Sequence, residues 1–518
     1  MARRCLISSA KLNLFMPPAS ERSAVPFASQ PSDVCTPDVT PRGDILVLAL
    51  LTLAGAGLRL FHLGAKGLWQ DEPATVAIAR MSWPHFVRVW WYGEASFQSV
   101  YFLLMRGWMH LGSSEAWIRL PAALFGIAAI PLIYLVARKL VGSRPALASA
   151  ALLAFSSTHV SYSQEARTYT MTILLVLLSS WFFVQAVEQG RERDWIAWTI
   201  FSVLAVYGHY FASLVMVAQA CSLFLSKKPA PWKRMVLHAL VILAMAMPGM
   251  TYVFRTSPEF LTGALNVKPT PKQLLHLALF LGGSGEKLVL ATILWVVGVR
   301  AIWRERLGRA ETSEIFWRGM LVLLWAVLPI FLVALVSLHY PVFVQRYMIF
   351  SLPAAMMLAG RGMSALPKRN LGPWLVVLLC AASMVNIVLG YKKPREDWRG
   401  ATDAIIRSAA PGDALLIYPF YARPGFDYYY DLRRENAPAL RVFAPPFYGF
   451  GEDDKSFLRA LSSNPAQFRH VWVMVRQAGP DWDDQRGEHR AVAAQLQAVF
   501  GTPVTRQFQD LTLLEFGH

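Results

Sequence analysis

Asp71 and Glu72 stand side by side in Leu68-Trp69-Gln70-Asp71-Glu72, directly after a long apolar run over residues 44–61. A helix needs roughly 20 residues to cross a bilayer, so this run is long enough for a first span, and the two acids lie just past its exit. Trp69 beside them suits a membrane interface. Paired carboxylates at that level are candidates for a general base acting on a membrane-borne substrate. Three more polar groups stand at the ends of later apolar runs: Gln164-Glu165-Ala166-Arg167-Thr168-Tyr169, His209-Tyr210 and Gln345-Arg346-Tyr347.

The elements that must position these residues are apolar helices. After the first span, apolar runs cover 116–137, 145–163, 168–187, 194–208, 211–226, 235–254, 287–303, 317–338, 346–360 and 371–391. With a cytoplasmic N-terminus, and with Tyr101–Leu111 lying along the surface, the chain alternates through eleven spans. The loops 137–145, 188–194, 226–234, 299–318 and 361–370 then fall inside and carry 17 Lys and Arg. The short outer connections 164–169, 207–211 and 338–346 carry two, Arg167 and Arg346. Cytoplasmic loops are the ones enriched in Lys and Arg, so this topology is preferred, and a true span at Tyr101–Leu111 would invert it. All four polar groups then meet at one membrane boundary, as do the 63–115 loop, the 255–286 loop and the C-terminal segment.

Composition agrees. Of 518 residues 55% are hydrophobic and 16% charged, and the mean hydropathy is +0.37; soluble domains run at about 25% charged. The net charge of +17 does not describe a nucleic-acid patch, because residues 392–518 hold 16 basic and 16 acidic residues and the excess belongs to the loops between spans. Residues 1–43, rich in Pro, Ser and Ala, read as a disordered cytoplasmic tail. Past residue 392 the pattern changes. Asp413–Pro419, His470–Arg476 and Leu511–Phe516 read as buried strands, and Thr402–Ala409 and Ala491–Val499 have helical spacing, as in a small extracytoplasmic α/β domain. No Gly-rich phosphate loop follows these strands, so no nucleotide is assigned. Cys5, Cys35, Cys221 and Cys380 have no metal spacing, nor do His62, His85, His110 and His159. Trp69, Trp83, Trp90 and Trp91 read as interfacial anchors.

Several stretches together carry a resemblance. LWQDEPATVAIAR, the segment from WIRLPAALFGIAAIPLIYLVARKLVG to SYSQEARTYT, GHYFASLVMVAQ and VFVQRYMIFSLPA resemble the bacterial family-39-type glycosyltransferases. These are GT-C membrane enzymes akin to protein O-mannosyltransferases and the aminoarabinose transferase of lipid A. The resemblance covers about residues 44–390, and EDWRGATDAI…PGDALLIYP resembles the C-terminal domain of many members. It implies transfer from a polyprenyl-phosphate sugar at the outer face of the inner membrane, without a nucleotide sugar. It also implies Asp71 and Glu72 as the catalytic acids. Glu165, Arg167, Tyr169, His209, Tyr210, Arg346 and Tyr347 would bind substrate. Where many relatives have His-Pro-Pro, this chain has Phe97-Gln98-Ser99, which touches the specificity of the loop and not the class.

A glycosyl phosphate already carries a good leaving group. The enzyme needs a base for the acceptor hydroxyl or amine, for which Asp71 is the candidate, and cations for the departing phosphate. Arg167 and Arg346 suit that part, since guanidinium contacts oxyanions in a bidentate fork. A single displacement inverts the anomeric carbon. Each residue also has a structural alternative: Asp71-Glu72 as the acidic first turn of a helix, Glu165 with Arg167 as an ion pair, Arg346 snorkelling from a helix end, and His209 as a packed, hydrogen-bonded ring. A transporter or lipid-linked sugar flippase is the rival function, but ion-coupled transporters place ionisable residues at mid-membrane, and the middles of 168–187, 346–360 and 371–391 hold none. The acceptor is left open, and so is a divalent metal.

Overall fold

The computed structural model describes residues 42–69, 71–92, 96, 98–226, 231–255, 267–283, 285–306, 312–368, 370–419, 422–443, 468–476 and 488–517. The expected N-terminal tail lies outside them apart from its last two residues. The helices are α1 (Arg42–Leu60), α2 (Asp71–Arg80), α3 (Trp83–Tyr92), α4 (Ser99–Trp108), α5 (Glu115–Val141), α6 (Ser143–Ala154), α7 (Ser157–Ser163), α8 (Tyr169–Gln189), α9 (Glu192–Gly208), α10 (Ser213–Leu223) and α11 (Trp232–Arg255). After these come α12 (Pro271–Gly282), α13 (Glu286–Glu305), α14 (Thr312–Val336), α15 (Leu352–Ala365) and α16 (Leu371–Lys392).

Every apolar run of the sequence has become helix, but not always one span-length helix. Among the described residues six helices are long and apolar enough to cross a membrane, α1, α5, α8, α11, α14 and α16, or seven if the bent pair α12–α13 counts as one. The chain is therefore a multi-pass helical membrane protein. The run 145–163 is broken at Phe155-Ser156 into α6 and α7, where the Ser156 side chain accepts a hydrogen bond from the His159 N–H at 3.3 Å. The run at 346–360 opens as a 3-10 turn, Gln345–Ser351, before α15. Such breaks are tolerated at membrane depth only where protein surrounds them, and both are buried: His159, Met348, Ile349 and Phe350 are at most 2% exposed. The 255–286 loop of the sequence reading needs a correction, since Leu274–Leu281 is apolar enough to form most of α12. Its helix turns into α13 through Gly283 and Gly285, both at positive φ. Helix α4 has 10 residues, about 15 Å at 1.5 Å per residue. That is too short to cross, as expected of Tyr101–Leu111.

Close approach between α13 and α15 depends on two glycines. A Cβ on Gly362 would stand 1.9 Å from the Leu294 carbonyl oxygen, and one on Gly298 would stand 2.4 Å from that of Leu358. Small residues let helix backbones meet in this way.

Beyond α16 the chain forms α17 (Trp398–Ser408), α18 (Arg423–Asp431), α19 (Glu488–Phe500) and five strands: β1 (Ala414–Tyr418), β2 (Arg441–Phe443), β3 (His470–Arg476), β4 (Val504–Phe508) and β5 (Leu511–Gly517). They make one mixed sheet in the order β2-β1-β3-β5-β4, parallel across β2-β1-β3 and antiparallel at the other edge. The three strands read from sequence are the buried centre, while β2 and β4 are edges without an apolar signal. This layer does not hang free. Trp398, Phe426, Tyr428 and Tyr429 are buried in the same core as the helices of the first half. The Tyr428 hydroxyl donates to the Ser113 carbonyl at 2.7 Å, and Arg399 pairs with Glu115 at 2.6 Å.

Candidate active site

Helix α2 begins at Asp71 because its first turn carries two acids, which suit the positive N-terminal end of a helix, with Pro73 where a missing N–H costs nothing. The two carboxylates then part. Glu72 is fully buried and both its oxygens are taken. Oε1 accepts from Arg119 Nε at 2.7 Å and from the Ala166 N–H at 2.9 Å. Oε2 accepts from Arg119 Nη2 at 2.7 Å, Arg395 Nη1 at 3.1 Å and the Trp69 N–H at 3.2 Å. Burial alone would raise its pKa, but the attraction of Arg119 and Arg395 and the hydrogen bonds of Arg119 and Ala166 outweigh burial and hold it below the ordinary value. Arg119 also donates to the carbonyls of Leu63, Lys66 and Gly67 at 2.8–3.0 Å. Glu72 thus fixes the loop leaving α1 to α5 and to the 164–168 loop. Both oxygens of Glu72, expected as a second catalytic acid, are engaged by protein donors, and Asp71 is the more open carboxylate of the pair.

Asp71 is arranged otherwise. Its Oδ2 lies 3.8 Å from Nη2 of Arg167 and 3.8 Å from Nη2 of Arg346. Those distances allow attraction but no hydrogen bond, and Oδ2 makes none. Arg167 is held by the Asp71 carbonyl at 3.3 Å and the Thr75 hydroxyl at 3.4 Å, and lies over the Tyr169 ring. Arg346 lies over Tyr347, whose ring meets that of His209 with centroids 4.9 Å apart. Glu165 receives Arg395 Nη2 at 3.4 Å on one oxygen, while its Oε2 is buried without a hydrogen bond. Burial pushes the Glu165 carboxyl up to about 7; Arg395 opposes this, and the nearby Glu72 and Asp71 add to it. The Nε atoms of Arg167 and Arg346 and the hydroxyls of Tyr169 and Tyr101 are likewise buried and make no hydrogen bond. Buried polar atoms are normally satisfied, so this concentration of open donors and acceptors around Asp71 is what a polar ligand would complete.

His209 follows α9 and caps the next turn, its Nδ1 accepting from the Phe211 N–H at 3.3 Å. Burial, then Arg167 and Arg346, lower its pKa to about 3, so the ring is neutral near pH 7. Tyr210 is directed elsewhere. Its hydroxyl donates to the Ser96 Oγ at 2.7 Å and lies against the Gly249 carbonyl, so it ties the end of α9 to Ser96, between α3 and α4, and to α11. Of the sequence-derived set, Asp71, Arg167 and Arg346 converge directly, with Tyr169, Tyr347, His209 and Glu165 packed around them.

Three residues went unread in the sequence. Arg395 pairs with both Glu72 and Glu165, and only its place just past the last apolar run hints at it. Arg119 sits inside an apolar helix, where an arginine is expensive unless paired; that cost was the available signal. Tyr101 is fully buried with its hydroxyl unpaired. Among the described residues no group of three or more His, Cys, Asp and Glu side chains converges as a metal site would. The carboxylates nearest one another are already matched to arginines, a donor set that fits an anion better than a divalent cation.

Residues 99–252 match the family model described as dolichyl-phosphate-mannose-protein mannosyltransferase. In fold, the chain is similar to ArnT from Cupriavidus metallidurans bound to undecaprenyl phosphate, at 12% identity and a TM-score of 0.59, over 92% of this chain and 98% of that one. The apo state of the same ArnT aligns at 14% identity with a TM-score of 0.57, over 91% and 97%. The apo oligosaccharyltransferase of Archaeoglobus fulgidus aligns at 11% identity with a TM-score of 0.52, over 83% and 69%. No curated protein sequence matches the chain. The family match and the fold together bear out the resemblance to GT-C membrane glycosyltransferases of the mannosyltransferase and ArnT type.

Proposed function

We propose that this protein moves a sugar from a polyprenyl-phosphate donor to an acceptor hydroxyl or amine at the extracytoplasmic face of the membrane, with inversion at the anomeric carbon. The observation that carries the reading is the Asp71 carboxylate facing Arg167 and Arg346 at 3.8 Å each without a hydrogen bond to either. ArnT, a solved structure of similar fold, is one bound to undecaprenyl phosphate, and this supports a lipid phosphate as the group the two arginines receive.

In this mechanism the acceptor oxygen or nitrogen attacks the anomeric carbon while Asp71 takes its proton. The bond from that carbon to the phosphate oxygen breaks, and the polyprenyl phosphate leaves with the electron pair, its growing charge met by Arg167 and Arg346. Charge that develops in the transition state is best met by groups already in place. Both guanidiniums are so placed, held by packing on Tyr169 and Tyr347. Glu165, poised to hold a proton near neutral pH, is the natural next stop for the proton. The acidic pair divides its work: Asp71 reacts, and Glu72 holds the frame.

Two variants test this with a panel of polyprenyl-phosphate sugars. Asp71→Asn keeps shape but cannot take a proton, and transfer should fall by about 10²–10⁴-fold with polyprenyl-phosphate binding retained. Arg346→Lys keeps charge but loses the planar fork, and should chiefly weaken donor binding. Equal loss of donor binding in both would make Asp71 a structural residue and end this mechanism.

A further inference from the structure

The arginine network around Glu72 has a second side. There a small recess, open to its surroundings, lies between the exit of α1, the middle of α7 and the end of α16. Lys66, Arg119, Arg395 and His62 line it, with Gln164 and Tyr391. Lys66 is partly buried, and its Nζ donates to the carbonyls of Gly390 at 2.6 Å and Lys393 at 2.7 Å. It therefore neutralises the negative C-terminal end of α16 and is anchored over the recess. The charged groups acting on Lys66 are all positive: after burial, Arg395, Arg119 and Lys393 lower its pKa. Among the described residues, two carboxylates form ion pairs with these cations, and Glu115 attracts Arg119 from farther away. Glu72 is shared by Arg119 and Arg395, and Glu165 meets Arg395 alone. The rim is apolar and aromatic. Phe61 packs on Tyr391 with centroids 5.3 Å apart, and Leu60, Phe61, Val388 and Leu389 are exposed.

We propose that this recess binds the phosphate of an anionic membrane lipid headgroup, on the other side of Arg395 from Asp71. A bilayer lipid fits better than a dissolved anion, because the recess lies where two candidate spans, α1 and α16, both leave the apolar layer. Acyl chains would continue from the rim along their exposed faces, while aromatic rings mark the headgroup level. Basic groups at this level attract anionic lipids electrostatically. Since Arg395 contributes to both the recess and the Glu72–Glu165 network, the bound headgroup presses on the frame of the catalytic site without entering it. The binding does not depend on the transfer mechanism, so the two ideas can fail separately.

The test uses the full-length protein, delipidated in a neutral detergent, with lipid occupancy read by native mass spectrometry. Dioleoyl-phosphatidylglycerol should bind roughly tenfold more tightly than dioleoyl-phosphatidylcholine, given two lysines near the headgroup. Lys66→Gln combined with Lys393→Gln should erase that preference, and Lys66→Arg should keep it. Lys393→Gln alone, which breaks no described hydrogen bond of its side chain, should reduce the preference even if the double variant folds poorly. Inorganic phosphate at millimolar concentration should fail to displace the lipid. Equal binding of the two lipids by the wild type, a preference unchanged in Lys393→Gln, or full displacement by inorganic phosphate would overturn the proposal.

Discussion

Replacing Glu72 by glutamine keeps the size of the side chain but leaves the guanidinium of Arg119, 2% exposed, without its hydrogen-bonded carboxylate. Breaking one partner of a buried pair typically costs about 3–5 kcal/mol. Glu72→Gln should therefore lower the thermal midpoint and the yield of inserted protein, and Asp71→Asn one residue away should change neither. Thermal unfolding of the two purified variants checks this; equal melting would mean that Glu72 does not hold the frame. Glu165 gives a pH test. Its folded pKa of about 7 lies above the ordinary 4.5, so between those values the folded chain keeps a proton that the unfolded chain has lost. Its stabilising contribution is complete below about 4.5 and is lost as pH rises through 7. The thermal midpoint should fall over that window in the wild type, and Glu165→Gln should flatten the slope.

At the scale of elements, the break between α6 and α7 is locked to the end of α1 by two side chains that cap each other's helices. Arg59, fully buried, donates to the carbonyls of Leu153 and Ala154 at the end of α6 and to His159 Nδ1. Gln164 Nε2, just after α7, donates back to the carbonyls of Leu58, Arg59 and Phe61. Through this exchange the loop bearing Asp71 and the loop bearing Glu165 and Arg167 are fixed to one another. Gln164→Ala removes the Nε2 donor from the carbonyls of Arg59 and Phe61, while that of Leu58 keeps the Tyr391 hydroxyl. With a net value of about 0.5–1.5 kcal/mol per hydrogen bond, it should lower stability modestly but transfer more steeply, since small misplacement of reacting groups is costly. Loss of activity only in proportion to loss of folded protein would refute a positioning role.

Across the whole molecule, the 17-to-2 charge asymmetry predicts that the site and the C-terminal layer share the extracytoplasmic side. Thr505→Cys on the edge strand of the sheet should react with an impermeant thiol reagent in intact cells, and Arg193→Cys in the first turn of α9 should not; both positions are exposed. The reverse pattern would invert the topology and move the site to the cytoplasmic face. The C-terminal layer is also joined to the candidate site by ion pairs. Arg395 reaches from its entry into the Glu72–Glu165 network, and Glu396 is gripped by Arg476 of β3 at 2.7 Å. Disturbing the sheet should therefore be felt at the site.

The sequence by itself determined where helices form and which residues collect at their ends, because apolar runs must be satisfied internally and polar groups are driven to their margins. That was enough to bring Asp71, Arg167 and Arg346 into one candidate set, and the buried strands β1, β3 and β5 into one sheet. It named Asp71 as the base but did not show how Glu72 is engaged, since neighbours in a chain differ only through what the rest of the molecule sets against them. It did not turn Tyr210 away, reveal Arg119, Arg395 or Tyr101, or break the 145–163 run at Ser156. Those depend on contacts across hundreds of residues, such as the 323-residue separation between Arg395 and Glu72. Local pattern records hydropathy and period; which buried acid finds an arginine, and which stays open to a substrate, is decided only when the helices and the C-terminal layer have packed.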